Sequence, residues 1–236
     1  MELRVTLRNG ESLLVTFGIP VGLLIFFSLV DVLPTDAERP VDFLLPGVLA
    51  LSVMSASMVA LAIATGFERY WLVLKRLGAT PLRRAELIGA KILAISLVQG
   101  LQIAVVLVVG VGLLGYRAEG GGRAPLWLAP VAIVLGTSAF AGLGLAMAGR
   151  LRAVATLALA NAAYLMLLLI SGIAFPLDRL PDWLAMLARA LPAAPLAELL
   201  RAALGAPATP VPVNLLILLA WAVGAPALAS SLFRWE

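Results

Sequence analysis

The chain alternates between long uncharged stretches and short segments that hold its charged residues. Six uncharged windows of 19 to 32 residues run from one charged residue to the next, namely 12–30, 43–67, 92–116, 124–149, 153–177 and 202–233. A helix needs about 20 apolar residues to cross the hydrocarbon core of a bilayer, so each window can hold one crossing. The pattern predicts six transmembrane helices, at about 12–33, 43–66, 88–114, 126–148, 154–174 and 211–233.

Composition supports this prediction and excludes several classes of function. Charged residues make up 13% of the chain, against roughly 25% in soluble domains, and the mean hydropathy is +1.06. We therefore expect an all-α integral membrane protein with a single domain over 1–236. Cysteine and histidine are absent, which removes disulfides, thiolate chemistry and the commonest general base and metal ligand. We expect no catalytic residue, no metal site and no cofactor bound by this chain.

The basic residues favour one side of the membrane. The two termini and the segments 67–91 and 149–153 together hold eleven Lys and Arg residues, and the opposite side holds six. Positive charge marks cytoplasmic loops, so both termini and both of these segments are predicted to be cytoplasmic. The net charge of +4 follows from this loop bias, and we expect no nucleic-acid partner.

The largest predicted cytoplasmic segment has the pattern of a short amphipathic helix. Tyr70, Leu74 and Leu77 recur at helical spacing, and Trp71 lies beside them. This helix is expected to end near Gly78, and a second helix is expected to start at Pro81, a residue that suits a first helical position. The segment could rest on lipid headgroups as an interfacial anchor, or it could dock a soluble partner.

The predicted membrane interior favours the docking interpretation. None of the six windows contains an ionisable Asp, Glu, Lys, Arg or His, although proton-coupled carriers rely on such residues at depth. Neither lysine, Lys75 or Lys91, lies in a phosphate-cradling G-x-x-x-x-G-K-[ST] loop. Apart from a sodium site built from backbone carbonyls, which stays open as an alternative, energy for uphill transport would arrive from outside the membrane, and nucleotide hydrolysis would belong to another polypeptide.

Polar and small residues occur at regular spacing inside the predicted spans. Ser52, Ala56, Ala60 and Ala64 form an every-fourth-residue ridge that can let helices approach closely. Gln99 and Gln102 lie one turn apart in the third span, and Asn161 lies at a similar depth in the fifth. These amides could form one structural hydrogen-bond cluster or a polar lining to a substrate path.

The segment 175–210 is the longest predicted outer connection. Prolines divide it into pieces too short to span the bilayer. We expect two short helices, broken at Pro192–Pro195, that lie in the outer leaflet. Trp183 and Leu187 would lie on one face of the first helix, and Arg189 could snorkel to headgroups.

Two stretches resemble one known family. "ERYWLVLKRLGATPLRRAELIGAKIL" is similar to the segment between the second and third helices in the permease subunits of type-2 ABC exporters. That segment typically reads Glu-Arg-Glu-x-Gly-Thr-Leu, then Thr-Pro-Leu and Gly-x-Lys. The matching residues are Glu68, Arg69, Leu74, Leu77, Thr80, Pro81, Leu82, Gly89 and Lys91. The sequence departs from the pattern at Tyr70 (Glu in the family), Leu72 (Gly) and Val73 (Thr).

The second stretch, "LANAAYLMLLLISGIAFPLDRLPDWLAMLARALPAAPLAELLRAAL" (159–204), resembles the family's fifth helix, its exit and the outer helices that follow. The resemblance implies a six-helix permease that dimerises with a second copy or a paralogous permease. It also implies an amphipathic elbow within Met1–Gly10, a coupling helix over 68–80 and two outer re-entrant helices between helices five and six.

The resemblance also implies partners and site residues. Two cytosolic ABC ATPase subunits would hold ATP and Mg, and membrane lipids would surround the permease in a bacterial inner membrane. The ATPase-coupling residues would be Glu68, Arg69, Tyr70, Trp71, Leu74, Lys75, Arg76, Leu77 and Pro81. A substrate path would include Gln99, Gln102, Asn161 and Tyr164, and an outer lid would include Trp183, Leu187 and Leu191.

The expected function is thus ATP-driven outward movement of a small amphipathic compound, a drug-like molecule or a lipid, by alternating access. One alternative is an intramembrane enzyme that processes lipid or peptide. It would need a nucleophile and a base, and the sequence offers Ser, Thr and Tyr but no buried base. A second alternative is a structural membrane subunit with no transport role.

Overall fold

The computed structural model describes residue 18, residues 20–26, residue 28 and the ranges 40–79, 83–116, 124–173, 177–205 and 210–233. These residues form helices and short connections, with no strand among them, which confirms the all-α prediction. Only part of the first predicted span falls in these ranges; residues 20–26 are helical, and Leu24 is buried in the core. The predicted elbow in Met1–Gly10 lies outside the described residues.

Nine helices with both ends described follow from residue 40 onward. They are α1 (Pro40–Met54), α2 (Leu61–Tyr70), α3 (Val73–Gly78), α4 (Arg84–Leu107), α5 (Leu128–Ala148), α6 (Ala153–Ile170), α7 (Asp182–Ala190), α8 (Ala193–Ala203) and α9 (Val211–Leu232). A π-helical turn, Ser55–Ala60, joins α1 to α2, and a second one, Val108–Leu113, extends α4.

Five of these segments are long and apolar enough to cross a membrane: Leu44–Tyr70, Arg84–Leu113, Leu128–Ala148, Ala153–Ile170 and Val211–Leu232. They coincide with the second to sixth predicted spans within about four residues at each end. The third span begins earlier than its predicted residue 88. The helix expected to start at Pro81 begins instead at Arg84, because the extended Arg83 donates its N–H to Glu86 Oε2 (2.8 Å). Pro81 itself lies outside the described residues.

The second span lies at the centre of the helix bundle. Leu45, Leu49 and Met54 of α1 are fully buried, and the span packs against α4, α5, α6 and α8. By contrast, α4, α6 and α9 present rows of large apolar side chains outward, which a bilayer can cover; examples are Leu93, Leu97, Leu101, Leu165, Leu169, Leu216 and Val223.

Helices α5 and α9 pack with their backbones close together. A Cβ placed on Gly142 would lie 2.4 Å from the backbone nitrogen of Pro226, so only glycine fits there without movement. On the same contact, Ser138 Oγ donates to the carbonyl oxygen of Ala222 (2.8 Å). The small side chains of α5 therefore set the distance between the two helices.

The predicted ridge of small residues on the second span is correct only in its first half. Ser52 and Ala56 are buried, but Ala60 and Ala64 are exposed. The cause is the π-helical turn Ser55–Ala60, which adds one residue to the turn and rotates everything after it. The buried row continues one position later instead, through Ser57, Leu61 and Thr65.

Candidate coupling site

The predicted amphipathic helix over 68–78 is two elements in the structure. Glu68 to Tyr70 form the end of α2 and thus continue the second span, and only Val73–Gly78 form the separate short helix α3. The break lies at Leu72, which has a left-handed backbone conformation (φ 60°, ψ 17°). The predicted end near Gly78 is correct, but the predicted start is wrong. Tyr70 and Leu74 are four residues apart, as on one face of a helix, but they lie in two different helices on either side of the turn.

The short helix is held by one buried side chain. Leu74 is fully buried and packs in a cluster with Leu61 of α2 and with Leu87 and Ile88 at the start of α4, and the half-buried Leu77 packs against the same cluster. Tyr70 is 71% exposed, so it does not belong to the buried stripe predicted for it. Of the predicted stripe, only Leu74 and Leu77 face the interior. These two residues fix α3 to α2 and to the start of α4.

Two aromatic residues lie at the surface beside this anchor. Tyr70 and Trp71 are both largely exposed, and the ring of Trp71 lies 5.5 Å from the ring of Phe67, centroid to centroid. Lys75 and Arg76 of α3 are exposed as well. These four side chains, Tyr70, Trp71, Lys75 and Arg76, form a basic and aromatic surface, which we call the α3 surface.

Glu68 faces inward rather than toward that surface. Lys91 Nζ of α4 lies 2.7 Å from Glu68 Oε2, and the two side chains are 4% and 28% exposed. A buried ammonium group needs such a counter-charge, because desolvation without it is costly. The ion pair therefore ties the end of α2 to the first turns of α4.

Arg69 is also bound within the chain. Its Nη1 donates to the carbonyl oxygens of Ala148 (3.4 Å) and Leu151 (3.5 Å), at the connection between α5 and α6. Glu68 and Arg69, which the resemblance assigns to ATPase coupling, are therefore not exposed charges available to a partner. Both side chains are half-buried and hold neighbouring helices together, because partners that are distant in sequence lie beside them in the fold.

The polar residues assigned to a substrate path do not share one surface. Gln99 and Gln102 are fully buried on α4, at positions where α4 packs on other helices. Asn161 is exposed on α6 and donates its Nδ2–H to the carbonyl oxygen of Leu157 in its own helix (2.8 Å), and Tyr164 is half-buried. The single amide cluster that we considered is therefore not formed, because equal depth in the membrane does not place two residues on facing sides.

The outer segment forms two short helices that meet at a sharp bend. The axes of α7 and α8 differ by 81°, and the break comes at Leu191 and Pro192. Of the residues assigned to a lid, Trp183 and Leu187 are exposed on α7, and Leu191 is half-buried at the bend. Helix α8 is buried along most of its length, so it is an internal element of the bundle.

Contacts from three spans hold this pair of helices. Arg201 Nη2 donates to the carbonyl oxygen of Gly172 and forms an ion pair with Glu198. The hydroxyl of Tyr116 donates to the carbonyl oxygen of Leu204, and burial raises the pKa of Tyr116 to about 12, so the donor proton is retained. At the other end, the indole Nε1–H of Trp221 donates to the carbonyl oxygen of Ala190 (2.8 Å). No pattern in the sequence predicted these contacts.

Lys91 is the functional-site residue that sequence reasoning left without a role. The sequence did contain a clue to its role, since Lys91 lies inside the predicted span 88–114 and is one of only two lysines in the chain. A lysine in a span needs a carboxylate, and Glu68 is the acidic residue at the same end of the preceding span.

A comparison with protein families agrees with this architecture. The family model described as ABC-2 type transporter matches residues 1–204. The matched range contains the α3 surface, the Glu68–Lys91 ion pair and both helices of the outer segment. No curated protein matches the sequence.

Proposed function

The chain belongs to the ABC-2 type transporter family, the permease components of type-2 ABC transporters, and we propose that it is the permease of an exporter. It is a multi-pass membrane protein, and its family implies partnership with an ABC ATPase subunit. ATP and Mg would bind to that partner, and this chain would supply the path.

The observation that carries the proposal is the geometry around α3. Leu74 locks a six-residue helix against the ends of α2 and α4, and the exposed Lys75 and Arg76 face away from the buried side. A short rigid helix with a charged outer face and an apolar inner anchor suits a docking element that must transmit displacement.

The bonds beneath α3 provide a route for that displacement. Movement of α3 would act on α4 through Leu74, since Leu74 packs on Leu87 and Ile88. It would act on α2 through the backbone and on the α5–α6 connection through Arg69. In our proposal, closure of the ATPases displaces these helix ends together and opens a path between two permeases.

The remaining features of the proposal follow from the predicted orientation. With α3 and both termini in the cytoplasm of a bacterial inner membrane, two ATPase subunits would bind from that side. A second permease copy or a paralogous permease would complete the path. The cargo would be a small amphipathic compound, and α7 and α8 would form a re-entrant lid at the exit.

Charge reversal on the α3 surface tests the proposal. The variant Lys75→Glu/Arg76→Glu should insert and fold normally, because both side chains are exposed, but should lose co-purification with the ATPase and ATP-dependent export. The matched control is Arg150→Glu/Arg152→Glu, which makes the same change of charge in the other predicted cytoplasmic segment and should leave both activities largely intact. Normal export by the Lys75/Arg76 variant would show that α3 is not the docking element.

A further inference from the structure

The bend between α7 and α8 lies below the outer ends of the spans that it contacts. Ala190, the last residue of α7, is bonded to Trp221 of α9 (2.8 Å), and Trp221 is the eleventh residue of that helix. At 1.5 Å per residue, Trp221 lies about 15 Å from the outer end of α9, which is roughly half of a 30 Å hydrocarbon core.

A second contact gives a similar depth for the start of α8. The side chain of Leu196 lies against Gly136 of α5, where an added Cβ would approach Leu196 Cδ1 to 2.9 Å. Gly136 is the ninth residue of α5, or about 12 Å from that helix's outer end. The C-terminal end of α8 is bonded near the outer ends of α4 and α6 through Leu204 and Arg201. The two helices therefore descend and return.

With the predicted orientation, this geometry brings a cation below the outer ends of the neighbouring spans. Arg189 precedes Ala190 in α7 and is exposed, and none of the described side chains lies within ion-pair distance of it. A charge held within the hydrocarbon core is costly, and the arginine side chain covers only part of the distance to the headgroups. Such a residue is retained where it meets an anion or a hydrated path.

A groove opens beside Arg189. It has a volume of about 420 Å³ and is lined by Leu177, Leu180, Asp182, Ala185, Met186 and Arg189. That volume is within the usual range for small-molecule sites, about 300–1,000 Å³. Four of its six lining residues are apolar, its exposed wall is about equally polar and apolar, and its two charges have opposite sign. Asp182 lies two helical turns from Arg189 along α7, toward the start of that helix.

We propose that this groove binds the phosphate headgroup of a phospholipid-like amphiphile, with the guanidinium of Arg189 on the phosphate. Arginine matches phosphate because its planar N–H groups can donate to two oxygens at once. Asp182 at the mouth faces the part of the headgroup that points outward, and this carboxylate favours an ammonium there. Acyl chains would lie along the exposed Met186 and Trp183.

If the bound lipid is the cargo of the proposed exporter, that cargo is a phosphate-bearing lipid. This identification of the cargo rests on the proposed function. Binding itself does not depend on the ATPase. The headgroup would be held below its resting level in the bilayer, as in a lipid that is leaving the protein rather than one that merely surrounds it.

Native mass spectrometry of the purified permease tests the site. Phosphatidylglycerol, phosphatidylethanolamine and diacylglycerol, which lacks phosphate, are each titrated into the detergent-solubilised protein. We expect retention of the two phospholipids but not of diacylglycerol. Arg189→Gln should weaken phospholipid binding about tenfold or more, since it removes charge-assisted hydrogen bonds, whereas Arg189→Lys should retain part of the affinity.

Two further variants separate the site from general effects of charge. Arg179→Gln removes an exposed cation of the same outer segment that does not line the groove, and it should bind like the unchanged protein. Asp182→Asn should shift the preference from phosphatidylethanolamine toward phosphatidylglycerol. Thermal unfolding of each variant checks that the fold is retained, which the exposure of Arg189 makes the expected result.

Equal phosphatidylglycerol binding by Arg189→Gln and the unchanged protein would overturn the proposal, as would equal retention of diacylglycerol. Failure of the unchanged permease to co-purify with an ATPase would instead remove the export function and leave the lipid site standing. The two outcomes are therefore distinguishable.

Discussion

The ion pair between Glu68 and Lys91 should dominate the stability of the α2–α4 contact. Lys91 is 4% exposed and Glu68 is 28% exposed, so the two partners are not equivalent. Glu68→Leu leaves a buried ammonium without this counter-charge, and we expect a loss of about 3–5 kcal/mol in the free energy of unfolding. Lys91→Met leaves a carboxylate that water can partly reach, and we expect a smaller loss of about 1–3 kcal/mol.

The double variant Glu68→Leu/Lys91→Met should recover most of this loss. Replacing both members of a buried pair with apolar side chains of similar volume is often close to neutral, so the coupling energy between the two sites should be about 3 kcal/mol or more. The measurement is reversible unfolding of the four proteins in mixed micelles. Additive losses would refute the argument, because they would mean that neither side chain stabilises the other.

A second cycle, of the charge reversals Glu68→Lys and Lys91→Glu, separates stability from coupling to the partner. The swapped pair Glu68→Lys/Lys91→Glu keeps one positive and one negative group at the contact, and it should restore part of the stability lost in the single reversals. If the pair also transmits movement from α3 to α4, ATP-dependent export should return together with stability in the swapped protein. Stability without export would limit the pair to a structural role.

Two further predictions concern packing and orientation. Gly142→Ala should lower the free energy of unfolding by about 2 kcal/mol or more, because its Cβ would meet the backbone of Pro226. The control is Gly224→Ala on α9, the helix that Gly142 faces. It should be neutral or stabilising, because no atom lies within 4 Å of the new Cβ. The orientation of the chain in the membrane can be tested with single cysteines at two exposed positions. A cysteine at Leu126 should react with an impermeant thiol reagent in intact cells. A cysteine at Gly78 should react only after the cells are opened. The reverse labelling pattern would place α3 on the side that a cytosolic ATPase cannot reach.

The lengths of the spans could be predicted from the sequence because they depend only on the number of apolar residues between charged ones along the chain. Charged residues bound each apolar stretch, and the bilayer sets the minimum length. The second to sixth spans therefore lie close to their predicted positions. The faces of the helices could not be predicted as well, because the π-helical turn Ser55–Ala60 rotates the second span and moves its buried row from Ala60 to Leu61.

The sequence predicted which segment of the chain forms the coupling site, but it did not predict the contacts that its residues make. The density of charge in 67–91 identified the region, and Leu74 was placed correctly on the buried side of its helix. Glu68 and Arg69 were taken for surface charges because the sequence does not show that Lys91 and the carbonyl group of Ala148 lie beside them. Arg189 was likewise given a shallow position, since its depth depends on the contact between Ala190 and Trp221.

Most of the described residues that match the permease family lie inside the fold, and the departures from the family pattern lie at the surface. Glu68, Arg69, Leu74, Leu77 and Lys91 are buried or half-buried, and Gly89 is the exposed exception among the described matches. The departures at Tyr70, Leu72 and Val73 are 71%, 56% and 39% exposed. We therefore expect the matched residues to maintain the common fold, and the departures to lie where this permease contacts its own partner.

Leu72 allows that division to be tested at one position. Its backbone is left-handed (φ 60°), a conformation that costs a residue with a side chain about 1–2 kcal/mol and costs glycine little. The family pattern has glycine there, which indicates that the turn between α2 and α3 is a family feature that this chain keeps with a less suitable residue. Leu72→Gly should relieve this strain, but it also adds about 0.5–1 kcal/mol of conformational entropy to the unfolded chain. The free energy of unfolding should therefore stay unchanged or rise by up to about 1.5 kcal/mol. Leu72→Val should lower it, because a β-branched side chain fits the left-handed region worse than leucine does. Unfolding in mixed micelles measures both changes, and a clear loss of stability in Leu72→Gly would mean that the exposed leucine side chain itself holds the turn.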